Sequence, residues 1–95
     1  MAKTEKRLTD GIAGLDPKAV RLDGPEFDGG IIGTYEAEGG ATCLVYGYHK
    51  LAEALSADWG CSVEEAYETI DYNTLRALPY IDAAYRPMVI FETEG

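Results

Sequence analysis

The succession of apolar periodicities along this chain predicts an α+β fold: a two-layer sandwich in which two helices cover one face of a sheet of about three mainly antiparallel strands. Three observations carry the prediction. Two β-branched and aromatic runs, 31–36 and 41–46, are separated by Glu38-Gly39-Gly40. From Tyr48 the apolar spacing changes from two residues to about 3.6. A last apolar run, Met88 to Phe91, follows Pro87. The order is therefore β-β-α-α-β, with runs of strands and helices segregated as in two-layer α+β domains.

Taken in order, residues 1–17 are expected to form a flexible basic arm, and 18–95 a single domain. The opening residues are polar and without periodicity. Asp16-Pro17 and Asp23-Gly24-Pro25 are turn signals that bracket 18–22, where Ala19, Val20 and Leu22 fit either a short edge strand or a helical turn. Ile31-Ile32-Gly33-Thr34-Tyr35-Glu36 reads as a strand. Ala41 to Tyr46 reads as a second, apolar almost throughout and so suited to the centre of a sheet. Gly29-Gly30 and Gly39-Gly40 read as hairpin punctuation, since neither has the spacing of a phosphate-binding loop.

The first helix begins at Tyr48 and ends near Ala57, with Tyr48, Leu51, Ala52 and Leu55 on its apolar face and His49, Lys50 and Glu53 on the other. Ser62-Val63-Glu64-Glu65 is a capping box that starts the second helix. Its stripe is Val63, Ala66, Tyr67, Ile70, Thr74, Ala77 and Leu78, and Pro79 disfavours continuation past Leu78. Glu64, Glu65 and Glu68 lie in the first turns, where the helix dipole favours them, and Arg76 lies in the last. The final strand, Met88 to Phe91, is apolar enough for the sheet interior.

Length and charge exclude several function classes. A chain of 95 residues with 46% hydrophobic content makes one modest core. Its apolar runs are far too short to span a bilayer, and its basic N-terminus runs into Thr9, Asp10 and Gly11 rather than an apolar stretch, so a cytoplasmic address is predicted. Residues 1–21 hold five bases against three acids, a local +2, whereas 22–95 hold three bases against fourteen acids, a local -11. Such a domain repels phosphate backbones, which argues against direct nucleic-acid binding and for a neutral or basic protein partner.

No constellation spells catalysis, and no enzyme activity or cofactor is predicted. His49 is the only histidine and falls on a polar helix face; Cys43 and Cys61 form no metal-ligand spacing with it and read as reduced small hydrophobes. Asp71 and Asn73 sit in mid-helix, where both have mediocre propensity, so that they either anchor a neighbouring loop or belong to a contact patch with Tyr72. Among seven tyrosines, Tyr35, Tyr46, Tyr48 and Tyr67 fall on packing positions and Tyr72, Tyr80 and Tyr85 do not. With Leu75 read as exposed beside Tyr72 and Arg76, they outline an interface patch rimmed by Glu68, Asp71 and Asp82.

The segment from Ser62 to Tyr80, with its Glu-Glu-Ala helix leading to Asp71-Tyr72-Asn73, followed by Arg86-Pro87-Met88-Val89-Ile90, resembles short uncharacterised proteins of tailed bacteriophages and prophages. Ile31-Ile32-Gly33 and the run from Leu44 to Leu51 resemble the paired strands and aromatic-led first helix of that group, so that the likeness covers about 27–91. Ala83-Ala84-Tyr85 departs from it, a glycine-bearing turn being usual there. The resemblance implies a phage origin and action by protein binding. Joined to the acidic balance, it implies an inhibitor of a host nucleic-acid-binding defence system, anti-CRISPR or anti-restriction, acting as a nucleic-acid mimic in the host cytoplasm. The partner-binding residues so assigned are Glu64, Glu65, Glu68, Asp71, Tyr72, Leu75 and Tyr80. The alternative is a structural or accessory phage homodimer, paired through Tyr72, Leu75 and the last strand.

Overall fold

Three strands in the order β1-β2-β3 and two helices build the α+β fold of the computed structural model, which describes residues 14–22 and 24–92. The strands are β1 (Ile31–Glu36), β2 (Thr42–Gly47) and β3 (Met88–Ile90). The helices are α1 (Tyr48–Trp59) and α2 (Val63–Thr69), and α2 runs on into a π-helical segment, Ile70–Leu75. The sheet is mixed: β1 pairs antiparallel with β2, and β3 pairs parallel with it, Val45 opposite Met88 and Gly47 opposite Ile90. A parallel pair needs a long crossover, and the two helices between β2 and β3 supply it. The apolar last run is thereby an edge strand, with Met88 and Ile90 each 39% exposed, and not the interior strand its composition predicts.

Leu44 and Tyr46 project from one face of β2 into a core with Tyr48, Leu51, Ala52 and Leu55 of α1 and Ala66 and Ile70 of the second helix. All four positions predicted for the apolar face of α1 are buried. Full burial of a leucine or isoleucine stabilises by about 1.5–3 kcal/mol, so this cluster dominates the stability. On the opposite face Cys43 and Val45 are also buried. There the Tyr35 hydroxyl donates to the Arg86 carbonyl and the Cys43 thiol to that of Ala84, so the loop before β3 covers one end of the sheet. Burial, followed by the Asp16 charge, pushes the Cys43 thiol upward. It is held as a thiol, the less reactive form.

Several local features have long-range causes. Pro25–Gly30 forms a 3-10 turn packed on α1, and a Cβ on Gly30 would fall 2.8 Å from the Leu51 Cα, so Gly29-Gly30 permits close packing and is not hairpin punctuation. The β1–β2 connection is made by Gly39 and Gly40, at φ 91° and 94°. Residues 18–22 form neither strand nor helix: the Val20 N–H donates to the Tyr85 carbonyl at 3.0 Å and the Leu22 N–H to the Tyr46 hydroxyl at 3.1 Å. Most of the predicted arm lies outside the described residues; of its last four, Leu15 packs against the core and the Asp16 N–H donates to the Thr42 carbonyl. No helix among the described residues is long and apolar enough to cross a membrane.

Candidate functional site

The second helix starts on the capping box that its sequence predicts. The Ser62 hydroxyl accepts from the Glu65 amide and the Glu65 carboxylate from the Ser62 amide, both at 3.1 Å. Ala66 and Ile70 are then buried, four residues apart. From Ile70 the backbone widens into the π segment, and the extra residue per turn rotates everything that follows. Leu75 consequently packs against the core cluster, while Asp71, Tyr72 and Asn73 are all exposed. The prediction that Leu75 is exposed assumed a regular helix and is overturned by this bulge. Ala77, predicted to lie on the apolar stripe, is exposed for the same reason.

The mid-helix Asp71 and Asn73 fall inside the bulge, where poor helix formers meet least resistance. Asn73 anchors no loop. Its side chain is exposed and makes no hydrogen bond among the described residues. The Asp71 carboxylate accepts from the buried Tyr48 hydroxyl at 2.8 Å. That phenol is pushed up to about 12, first by burial and then by the hydrogen bond to Asp71. Tyr48 is in turn stacked on Tyr67, with ring centroids 5.0 Å apart.

Outside the bulge lies a shallow open depression of about 630 Å³ lined by Glu68, Thr69, Asp71, Tyr72, Asn73 and Arg76. Tyr72 is 68% exposed, and the Arg76 guanidinium stands 4.9 Å from its ring centroid. Of the predicted partner-binding residues, the structure brings Glu68, Asp71 and Tyr72 together here. Glu64 and Glu65 are exposed in the preceding turn, with Glu65 engaged in the cap. Tyr80 is 90% exposed on the short 3-10 turn Leu78–Tyr80, does not line the depression, and is separate from it. Tyr85 is half-buried, with the Lys18 ammonium 5.9 Å from its ring centroid, and leaves the predicted patch.

A second polar cluster was missed on sequence. His49, read there as a solvated residue, is half-buried, and its Nδ1 lies 2.7 Å from the Tyr67 hydroxyl. The Phe91 ring lies 4.4 Å from that of Tyr48. Glu92 accepts from the backbone amides of His49 and Lys50, at the start of α1. Its carboxyl is raised by burial but lowered further by those amides, by its own amide and by the His49 charge, and sits below the usual range. The imidazole hydrogen-bonds a phenol and, among the described residues, no carboxylate, so no acid-oriented base is assembled around it. The only sequence signal for the π segment was the pair of poor helix formers inside it; Glu92 gave none.

Known proteins offer no shortcut to this site: no family model matches the chain, and neither characterised proteins nor solved structures provide a match.

Proposed function

We propose that this protein acts by binding a basic protein partner through the outer face of α2 and the π segment, as a phage-type inhibitor of a host nucleic-acid-binding defence system. One observation carries the reading. Four exposed carboxylates, Glu64, Glu65, Glu68 and Asp71, follow one another along this stretch of helix, and two of them, Glu68 and Asp71, line an open depression with the exposed ring of Tyr72. An aromatic anchor rimmed by charge is the usual anatomy of a protein interface, and an anionic face competes with nucleic acid for a basic groove. The resemblance to short phage and prophage proteins supports the host-cell setting, and the acidic balance of 22–95 disfavours direct contact with nucleic acid.

The test is the plating efficiency of a targeted phage on cells carrying an active CRISPR or restriction system, with and without this protein expressed. Rescue of plating supports the reading. Unchanged plating on every system tried, with the protein present and folded, removes it.

A second reading, an accessory homodimer, is favoured by the sheet rather than the helix. Ile32 of β1 and Met88 and Ile90 of the short edge strand β3 are each about 40% exposed. A dimer through this face would show twice the chain mass by light scattering, and Met88→Lys would return it to monomer.

A further inference from the structure

Resting on the partner-binding reading, we propose that the depression beside the π segment is a receptor for an arginine side chain of the partner protein. Tyr72 is its platform, and Glu68 and Asp71 are its carboxylates. The chain's own Arg76 occupies the platform in the unbound protein.

The free molecule already demonstrates the platform, since the Arg76 guanidinium lies 4.9 Å from the Tyr72 centroid. The ring is otherwise 68% exposed and able to accept a second cation in place of the first. Asp71 is preorganised. Its Oδ1 accepts from the buried Tyr48 hydroxyl at 2.8 Å, which fixes the carboxylate from inside and leaves Oδ2 for a ligand. Glu68 stands one turn before Tyr72, on the same rim of the depression. Thr69 contributes shape rather than a donor to the ligand, because its hydroxyl donates to the Glu65 carbonyl at 3.0 Å.

Arginine fits this arrangement better than lysine. A guanidinium is planar, stacks on an aromatic face and presents forked N–H groups to carboxylates at the same time, whereas an ammonium is a compact, strongly hydrated point charge. The π segment turns Leu75 into the core while Asp71 and Tyr72 stay outside, on the rim of the depression. Charge complementarity selects the occupant. Apart from Arg76, every charged side chain on this stretch of helix is an acid.

The test uses the full chain with two fluorescent probes of equal charge, hexa-arginine and hexa-lysine, in an anisotropy titration at low salt. The arginine peptide is expected to bind about five-fold tighter or more. Tyr72→Leu should reduce that preference to about one while leaving lysine-peptide binding in place, and Tyr72→Phe should restore it, since the ring face is what matters. Tyr72 is exposed, so neither change should affect folding, which circular dichroism checks. Arg76→Ala should tighten arginine-peptide binding by removing the internal occupant.

Equal affinity for the two peptides, a preference that survives Tyr72→Leu, or weaker binding on Arg76→Ala would each overturn the assignment. The two proposals fail separately. An arginine preference without phage rescue leaves the receptor standing and removes the defence target; phage rescue without the preference removes the receptor alone.

Discussion

The Glu92 carboxylate accepts the backbone N–H of His49 at 2.9 Å across 43 residues of sequence, and that of Lys50 at 3.0 Å. Helix α1 has glycine at its N-cap and therefore no side chain of its own to satisfy its first amides. The residue that follows β3 by two positions does so instead. Edge strand and helix start are thus joined, and the same acid opposes the positive end of the α1 dipole.

Replacing Glu92 by glutamine should destabilise the protein by about 0.3–1 kcal/mol at neutral pH, since an acceptor remains but the charge is lost. The folded-state pKa of Glu92 is depressed, so its contribution is fully present above the pKa of the unfolded carboxyl and is lost as pH falls through the lower folded value. Urea unfolding of wild type and variant should therefore differ at pH 7 and converge at a pH well below the ordinary carboxyl value of 4.5. An equal gap at both values would show that the charge is not what caps α1.

Gly47 is glycine because a Cβ there would collide with the Glu92 carboxylate and stand 3.2 Å from the Ile32 Cγ2. Gly47→Ala should cost about 0.5–1.5 kcal/mol, since the Glu92 carboxylate is the end of a flexible side chain and swings aside at the loss of its bonds to the α1 amides. Most of that cost comes from Glu92, so adding Gly47→Ala to a Glu92→Ala background should cost less than it does in wild type. A double-mutant cycle measures the coupling; additive effects would contradict the shared space.

Much of the fold is legible locally, because the features involved are set by near neighbours. The capping box, the span of β1 and the buried face of α1 each need only residues a few positions apart. What escaped detection is non-local or depends on a count of one. Strand order and the parallel pairing of β3 are decided by the crossover and not by the composition of Met88 to Ile90. Gly29 and Gly30 look like turn residues until α1 is laid against them. A single inserted residue moves Leu75 inward, yet a 3.6-residue periodicity has no term for it. In the candidate site the acids and Tyr72 were legible as exposed helix residues, while Arg76 as occupant of the ring and Tyr48 as the support of Asp71 required the folded chain.

Deleting Asn73 tests the bulge directly. With one residue fewer, Leu75 falls four positions after Ile70, the regular helical spacing, so the core contact is kept. Stability should change by no more than about 1 kcal/mol, as for substitutions outside the core. Asp71 and Tyr72 precede the deletion and stay on the outer face, so binding of an arginine-rich probe should be kept. A deletion that unfolds the protein by thermal melting would show that the bulge is structurally required.

Tyr48→Phe should cost about 0.5–1.5 kcal/mol, the net worth of one hydrogen bond, Asp71 being exposed enough to be solvated instead. The Tyr48 phenol titrates at about 12 in the folded state, above its ordinary value of 10.0, so its stabilising contribution holds below pH 10 and is lost as pH rises towards 12. The gap between wild type and Tyr48→Phe in chemical denaturation should accordingly narrow between pH 10 and pH 12. A constant gap would separate the hydrogen bond from the raised pKa.

The central claim is that a particular face, and not bulk negative charge, engages the partner. It is tested by placing two equal charge reversals in the phage-plating assay: Glu64→Lys with Glu68→Lys on the helix, and Glu36→Lys with Glu38→Lys at the β1–β2 turn. All four residues are exposed, and the helix pair spares the Glu65 cap. The helix pair is expected to reduce rescue by about ten-fold or more, equivalent to about 1.4 kcal/mol of binding, while the turn pair leaves it intact. Equal loss in both variants, or none in the helix pair, would contradict the account.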